Sequence, residues 1–140
     1  MKWYKERIQI STRGKGLYDF TAQVEQAIRR WNISEGICHL FVQHTSASLV
    51  ASESYDPTAR QDLESFMDHL VPEDQLYYRH TLEGSDDSPS HMRAMLTLTS
   101  LSIPIDDGRL SLGTWQGIYL FEHRARPHQR SVLLRCLSVE

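Results

Sequence analysis

Leu101-Ser102-Ile103-Pro104-Ile105-Asp106-Asp107-Gly108-Arg109-Leu110-Ser111-Leu112 reads as a strand, a turn at Asp106-Asp107-Gly108 and a second strand. Downstream, Thr114 to Phe121 and Ser131 to Leu137 favour extended structure, so the C-terminal third reads as an antiparallel meander. Upstream lie two helix starts. Ser88-Pro89 precedes Met92, Met95, Leu96 and Thr99 as an inward face, and Asp56-Pro57 precedes the stripe Leu63, Phe66, Met67 and Leu70. Val71-Pro72 ends the earlier helix, and Glu73 to Asp87 has no period, which makes it the longest irregular segment. Ile37 to Val50 reads as a central strand with two largely apolar faces. Phe20, Val24, Ala27, Ile28 and Trp31 form a helical stripe that stops at Ser34-Glu35-Gly36, and Trp3 to Ile10 is a strand followed by a turn at Arg13 to Gly16. The order predicts an α+β fold of mainly antiparallel β-sheets, sandwich-like, with two or three covering helices.

The 140 residues carry 15 Lys+Arg against 18 Asp+Glu, for a formal net charge of −3, and 40% are hydrophobic. This suits one domain spanning residues 1–140 around one core. No apolar run approaches the ~20 residues needed to span a bilayer, and no basic start leads into an apolar stretch, so the expectation is a cytoplasmic protein with no membrane partner. Cys38 and Cys136 lie in apolar alternating segments and read as buried thiols. The mildly acidic balance argues against nucleic acid. The basic stretch His123 to Arg130 reads as a solvated hairpin tip, since no aromatic residue is interleaved in it for bases to stack on.

Of the seven histidines, His44, His80 and His91 stand where element ends and loops meet polar neighbours. His91 falls in the first turn of a helix, where the dipole disfavours the imidazolium and keeps the lone pair that a metal needs. The gaps between the three match no local zinc motif, so satisfied or surface histidines stand beside metal ligands as readings. Glu53 and Glu122 end apolar segments, where a carboxylate needs a partner. Asp56 and Asp87 are explained as helix caps or first-turn charges. Thr45, Ser46 and Ser48 lack the Gly-x-Ser-x-Gly elbow of a nucleophile.

Ser100 to Ile118, with its Gly113-Thr114-Trp115-Gln116 core, resembles the signature of the YjbQ-like family. Gln43 to Leu49, Glu53 to Asp56 and Glu83 to His91 agree with it, Ser54 and Ser88 being the small departures, and the resemblance runs from about residue 3 to residue 137. It implies a homotrimer and a polar site that holds His44, His80 and His91 near the Gly-Thr-Trp-Gln strand. The same three imidazoles would bind a divalent metal, zinc first, or magnesium with a pyrophosphate substrate. Family members are commonly labelled secondary thiamine-phosphate synthases, which join a hydroxymethylpyrimidine pyrophosphate to a thiazole phosphate and release pyrophosphate. On that reading His44, Glu53, His91 and Glu122 are catalytic, and Thr45, Ser46, Thr114, Trp115 and Gln116 bind the small phosphorylated substrate. A metal-dependent hydrolase with Glu53 or Glu122 as base, and a non-catalytic ligand-binding trimer, are the alternatives. Apolar residues on both faces of Thr114 to Phe121 add to the expectation of a trimer, because a subunit interface would supply the second cover.

Overall fold

Alternating apolar segments carry the chain into two antiparallel sheets, in a computed structural model that describes residues 1–140. The elements are β1 (Lys2–Thr12), β2 (Gly16–Asp19), α1 (Thr21–Arg30), β3 (Gly36–Val42), β4 (Ala47–Glu53), α2 (Pro57–Leu70), α3 (Asp87–Leu96), β5 (Ser100–Asp106), β6 (Arg109–Leu110), β7 (Gln116–Glu122) and β8 (His128–Ser138). Five strands pair in the order β1-β8-β3-β5-β6 and three in the order β2-β7-β4. The α+β antiparallel architecture is therefore as the sequence predicts. No helix is long and apolar enough to cross a membrane.

The two sheets face each other across one core. Ile8, Ile10, Cys38, Leu40, Val42, Val132, Leu134 and Cys136 come from the larger sheet, Leu49, Ile118 and Leu120 from the smaller, and Val24, Ala27 and Ile28 from α1. Full burial of each such side chain stabilises the fold by about 1.5–3 kcal/mol before conformational entropy is set against it. Cys38 and Cys136 are buried thiols directly opposite each other on β3 and β8. The β5–β6 hairpin closes through Asp107 and Gly108, whose φ values of 52° and 78° are the left-handed pair that a type I′ turn requires. At Gly36 a Cβ would stand 2.0 Å from the Leu137 carbonyl oxygen, so only glycine lets β3 start against β8.

Several expectations are corrected. Ile37 to Val50 is two strands in different sheets, with residues 43–46 crossing between them, so His44 sits in the crossover rather than at a strand end. The C-terminal strands do not form a meander: β7 lies between β2 and β4, and β8 returns between β1 and β3. On α2 the Asp56 carboxylate caps Thr58 N at 2.9 Å as expected, but only Met67 of the stripe is fully buried, and Phe66 is 60% exposed. On α3 the buried residues are Asp87, Pro89, Ser90 and Arg93, while Met95, Leu96 and Thr99 face solvent. That helix turns a polar face inward because it packs on a polar network. The second cover of β7 comes from α2, whose Met67, with Val71 just past its end, packs on Leu17, Tyr119 and Phe121, so that strand needs no partner subunit.

Candidate functional site

Asp87 and His91 are one turn apart on α3 and therefore share a face. The loop before α3 brings His80 onto the same face. Asp87 Oδ2 lies 2.7 Å from His80 Nε2 and 3.1 Å from His91 Nε2, and the Asp87 side chain is 5% exposed. Ligand atoms on a tetrahedral zinc ion with bonds of about 2.0–2.1 Å stand about 3.3 Å apart. Here the two contacts are at hydrogen-bond distance and the three ligand atoms lie within 4.8 Å of one another, close enough for one ion to reach all three after the carboxylate–imidazole contacts open slightly.

The outer contacts fit the same use. His91 Nδ1–H donates to the Thr45 carbonyl at 2.8 Å, which leaves Nε2 with its lone pair unless the ring takes a second proton. A lone pair facing a carboxylate oxygen calls for something positive between them, a proton or a metal cation. Asp87 Oδ1 accepts from Arg124 Nη1 at 2.7 Å. Arg124 is itself held, with Nε donating to Asp86 Oδ2 at 3.0 Å and Nη2 to the Glu83 carbonyl at 2.9 Å. Hydrogen bonding to Asp86 raises the Arg124 pKa, and burial of Asp86, which works the other way, is outweighed by the Arg124 and Ala125 donors that hold that carboxyl below its usual range. Oriented imidazoles and an anchored carboxylate are the outer-shell pattern of metal sites.

His44, expected as the third imidazole ligand, is not in this cluster. Its Nε2 accepts from Ser131 N at 2.8 Å, and its Nδ1 lies 3.4 Å from Arg130 Nη1. It shares only a shallow cavity with His91, between the crossover and α3. Burial, then the Arg130 charge, push its pKa down.

Glu122 is fully buried, and all of its acceptor capacity is used. Arg130 binds it through Nε at 2.8 Å and through Nη2, Thr12 Oγ1 donates at 2.7 Å, and Arg124 N at 3.1 Å. Burial alone would raise its pKa, but these donors outweigh it and the carboxyl sits below its usual range. A carboxylate so held does not serve as a general base, and the role expected of Glu122 is corrected to a structural one. Ser46 is buried and accepts from Arg130 Nη2 at 2.9 Å through Oγ, while Thr45 is exposed beside it.

Glu53, Thr114, Trp115 and Gln116 gather elsewhere. Glu53 pairs with Gln116 at the end of β4 remote from Ala47, and six residues of strand span roughly 20 Å. There Glu53 accepts from Asp56 N at 3.2 Å, Gln116 Oε1 accepts from Gly113 N at 2.7 Å, Trp115 meets Tyr55 edge-on at 4.9 Å, and Thr114 is exposed. Within one chain the Gly-Thr-Trp-Gln turn is therefore not beside the histidines.

Sequence reasoning missed Asp87, read as a cap, and Arg124 and Arg130, read as a solvated tip. Both arginines are buried, and only Arg126, the third arginine of that stretch, is exposed. Two signals were available: the four-residue spacing of Asp87 and His91, and the strand parity that puts Arg130 in the inward row with Val132, Leu134 and Cys136.

The sequence matches the family described as "UPF0047 protein YjbQ-like" over residues 6–139. The chain belongs to this family. A Synechocystis relative, "UPF0047 protein sll1880", is 49% identical over 94% of this chain and 89% of its own length. The "UPF0047 protein YjbQ" of Escherichia coli O157:H7 is 40% identical over 94% and 95%. Among solved structures, a "YbjQ-like protein of unknown function" from Sulfolobus solfataricus P2 superposes with a TM-score of 0.88 at 28% identity, covering 98% of each chain. A conserved hypothetical protein from Thermus thermophilus gives 0.85 at 36% identity, over 94% of this chain and 99% of that one. Membership in the YjbQ-like family overturns the thiamine-phosphate synthase expectation, because the family's description carries no such activity and the Sulfolobus member is described as of unknown function. Within one chain the expected set is also divided, since Trp115, expected to bind the substrate, lies at the far end of β7 from the histidines.

Proposed function

We propose that this YjbQ-like chain is an enzyme working at a divalent-cation centre formed by His80, Asp87 and His91. The observation that carries the reading is the convergence of both Nε2 atoms on Asp87 Oδ2, with His91 Nδ1 committed to the Thr45 carbonyl. A bound zinc or similar ion would supply Lewis-acid polarisation of an oxygen atom. The chain supplies the rest. Thr45 fixes which His91 nitrogen faces the centre, Arg124 fixes the Asp87 rotamer, and the side chains of His80 and His91, 54% and 37% exposed, leave the outer side open to a ligand. Three protein ligands with an open side are the arrangement of catalytic rather than structural zinc. The reading sets the protein in the cytoplasm, whose reducing conditions suit two unpaired buried thiols.

The purified protein is expected to carry one divalent ion per chain, and His91→Ala or His80→Ala to lose it. Arg124→Gln, which leaves the ligands in place, is expected to weaken binding by about 10–100-fold. Elemental analysis of the proteins, with visible spectra after cobalt substitution, reads this out. Equal metal content in wild type and His91→Ala rejects the centre.

The working unit of this proposal is a homotrimer. Its support is the outer face of the five-stranded sheet, where Trp3, Leu137, Ile37 and Pro104 form one apolar row across four strands and Leu133 and Phe41 sit four residues further along, beyond the polar row Lys5, Arg135, His39 and Ser102. Trp3, Ile37 and Phe41 are exposed there, and an open apolar sheet face calls for a cover. Light scattering at micromolar concentration is expected to give three times the 16.2 kDa chain mass, and Ile37→Glu to lower it. A monomeric wild-type mass rejects the trimer.

A further inference from the structure

Arg130 has five N–H donors, and the fold uses most of them. Nε and Nη2 hold Glu122, and Nη2 also reaches the Ser46 carbonyl at 3.2 Å and its Oγ at 2.9 Å. The remaining nitrogen, Nη1, has one neighbour, His44 Nδ1, at 3.4 Å. The other His44 nitrogen, Nε2, lies 2.8 Å from Ser131 N. A backbone N–H only donates, so Nε2 holds a lone pair, and the single proton of a neutral imidazole is on Nδ1. The long contact therefore sets one N–H against another, with no acceptor between them.

Both residues line a cavity of about 480 Å³ formed by the end of β3, the crossover that follows it, Thr99 and Arg130. Thr45 and Thr99 contribute hydroxyls to its wall, and no carboxylate lines it. The Arg130 side chain is 5% exposed, so a donor left without an acceptor there is costly unless a ligand supplies one. Glu122 balances the Arg130 charge from behind, which leaves recognition to directed N–H groups rather than to net positive charge.

We propose that this cavity is an oxyanion-binding site, in which Arg130 Nη1–H and His44 Nδ1–H donate to oxygens of one phosphate or carboxylate group on a small ligand. The site is built from other residues than the cation centre and does not depend on it. The bound group sits next to that centre, because Thr45 lines this cavity and also anchors His91. Neither residue needs to move, since both are already fixed by Glu122 and by Ser131.

The test uses wild-type protein stripped of divalent ions with a chelator and titrated with inorganic phosphate or, separately, with acetate. Nitrogen–proton NMR of the histidine rings and arginine side chains follows the binding. The expected result is a saturable downfield shift of the His44 Nδ1 proton and of the Arg130 Nη protons, with a dissociation constant on the order of 1 mM. Response to phosphate alone assigns a tetrahedral group, and response to acetate assigns a carboxylate. His44→Ala, which leaves the Arg130–Glu122 pair intact, is expected to weaken binding by at least about tenfold. No shift in the wild type with either probe, or equal affinity in His44→Ala, overturns the proposal. Because the protein is metal-free throughout, failure here leaves the cation centre standing, and loss of that centre leaves this result readable.

Discussion

Arg130→Met is expected to lower the free energy of unfolding by about 3–5 kcal/mol, the effect of leaving one member of a buried ion pair without its partner. Glu122 is fully buried and Arg130 nearly so, and the guanidinium meets both carboxylate oxygens through two nitrogens. Methionine fills the volume but returns no donors, so Glu122 keeps only Thr12 Oγ1 and Arg124 N. It must then hold an uncompensated charge or take up a proton. Replacing both partners removes the charge. The double variant E122Q/R130M can keep its amide oxygen toward Arg124 N and turn its NH2 toward Thr12 Oγ1, which can accept as well as donate, and is expected to regain more than half of the loss. Urea denaturation of wild type and both variants at one protein concentration measures this. A change of less than about 1 kcal/mol in Arg130→Met would mean that water reaches the pair in solution.

The pair also explains what could and could not be read from the sequence. Local signals were reliable where the cause is local. The Asp56-Pro57 start of α2, the Asp107-Gly108 turn and the inward parity of Cys38, Leu40 and Val42 all depend on neighbours in the chain. Strand partnership is not local. Residues 43–46 carry no Gly or Pro, so Ile37 to Val50 reads as continuous although the chain changes sheets there, and the order that places β7 between β2 and β4 is set by packing of both its faces. The same limit governs the site. His80 is legible only as a histidine in a loop, and its meeting with Asp87 depends on where 16 residues without helix or strand, from Val71 to Asp86, return the chain. Asp87 was visible as an acid in a first helical turn, where the dipole explains it without a ligand. Its burial beside Arg124 separates the two explanations. Arg130 is the clearest loss: its parity predicts an inward charge, and an inward charge demands a partner such as Glu122, eight residues before it.

Acid is expected to destabilise the protein well above the carboxylate range, through His123. This ring is almost fully buried, paired through Nε2 with Ser48 Oγ at 2.8 Å and packed on Phe121 at 4.5 Å, while its Nδ1 has no partner. Burial first, and then the charge of Arg93, bring its pKa down from 6.5 to about 3. Above about pH 7.5 the ring is neutral in both folded and unfolded chains, so its contribution is fully present there. As the pH falls, the unfolded chain takes up a proton that the folded chain refuses, and stability drops by about 1.4 kcal/mol per pH unit until the folded value is reached. At about pH 5 the loss from this residue is roughly 2 kcal/mol, and across the whole window it is on the order of 4–5 kcal/mol. His44, also held below its usual value, adds to the loss in the same direction. Glu122 and Asp86, whose carboxyls are likewise lowered, begin to matter only below about pH 4.5, where the unfolded carboxylates protonate. The interval between about pH 6.5 and 4.5 is thus governed by buried histidine. His123→Phe keeps the aromatic packing, leaves Ser48 its contact with the Thr97 hydroxyl at 2.6 Å, and cannot titrate. Its loss of stability between about pH 7.5 and 5 is expected to be smaller than that of the wild type by roughly 2 kcal/mol, read from urea unfolding at the two pH values. Identical pH dependence in the two proteins would show that the wild-type ring protonates without unfolding.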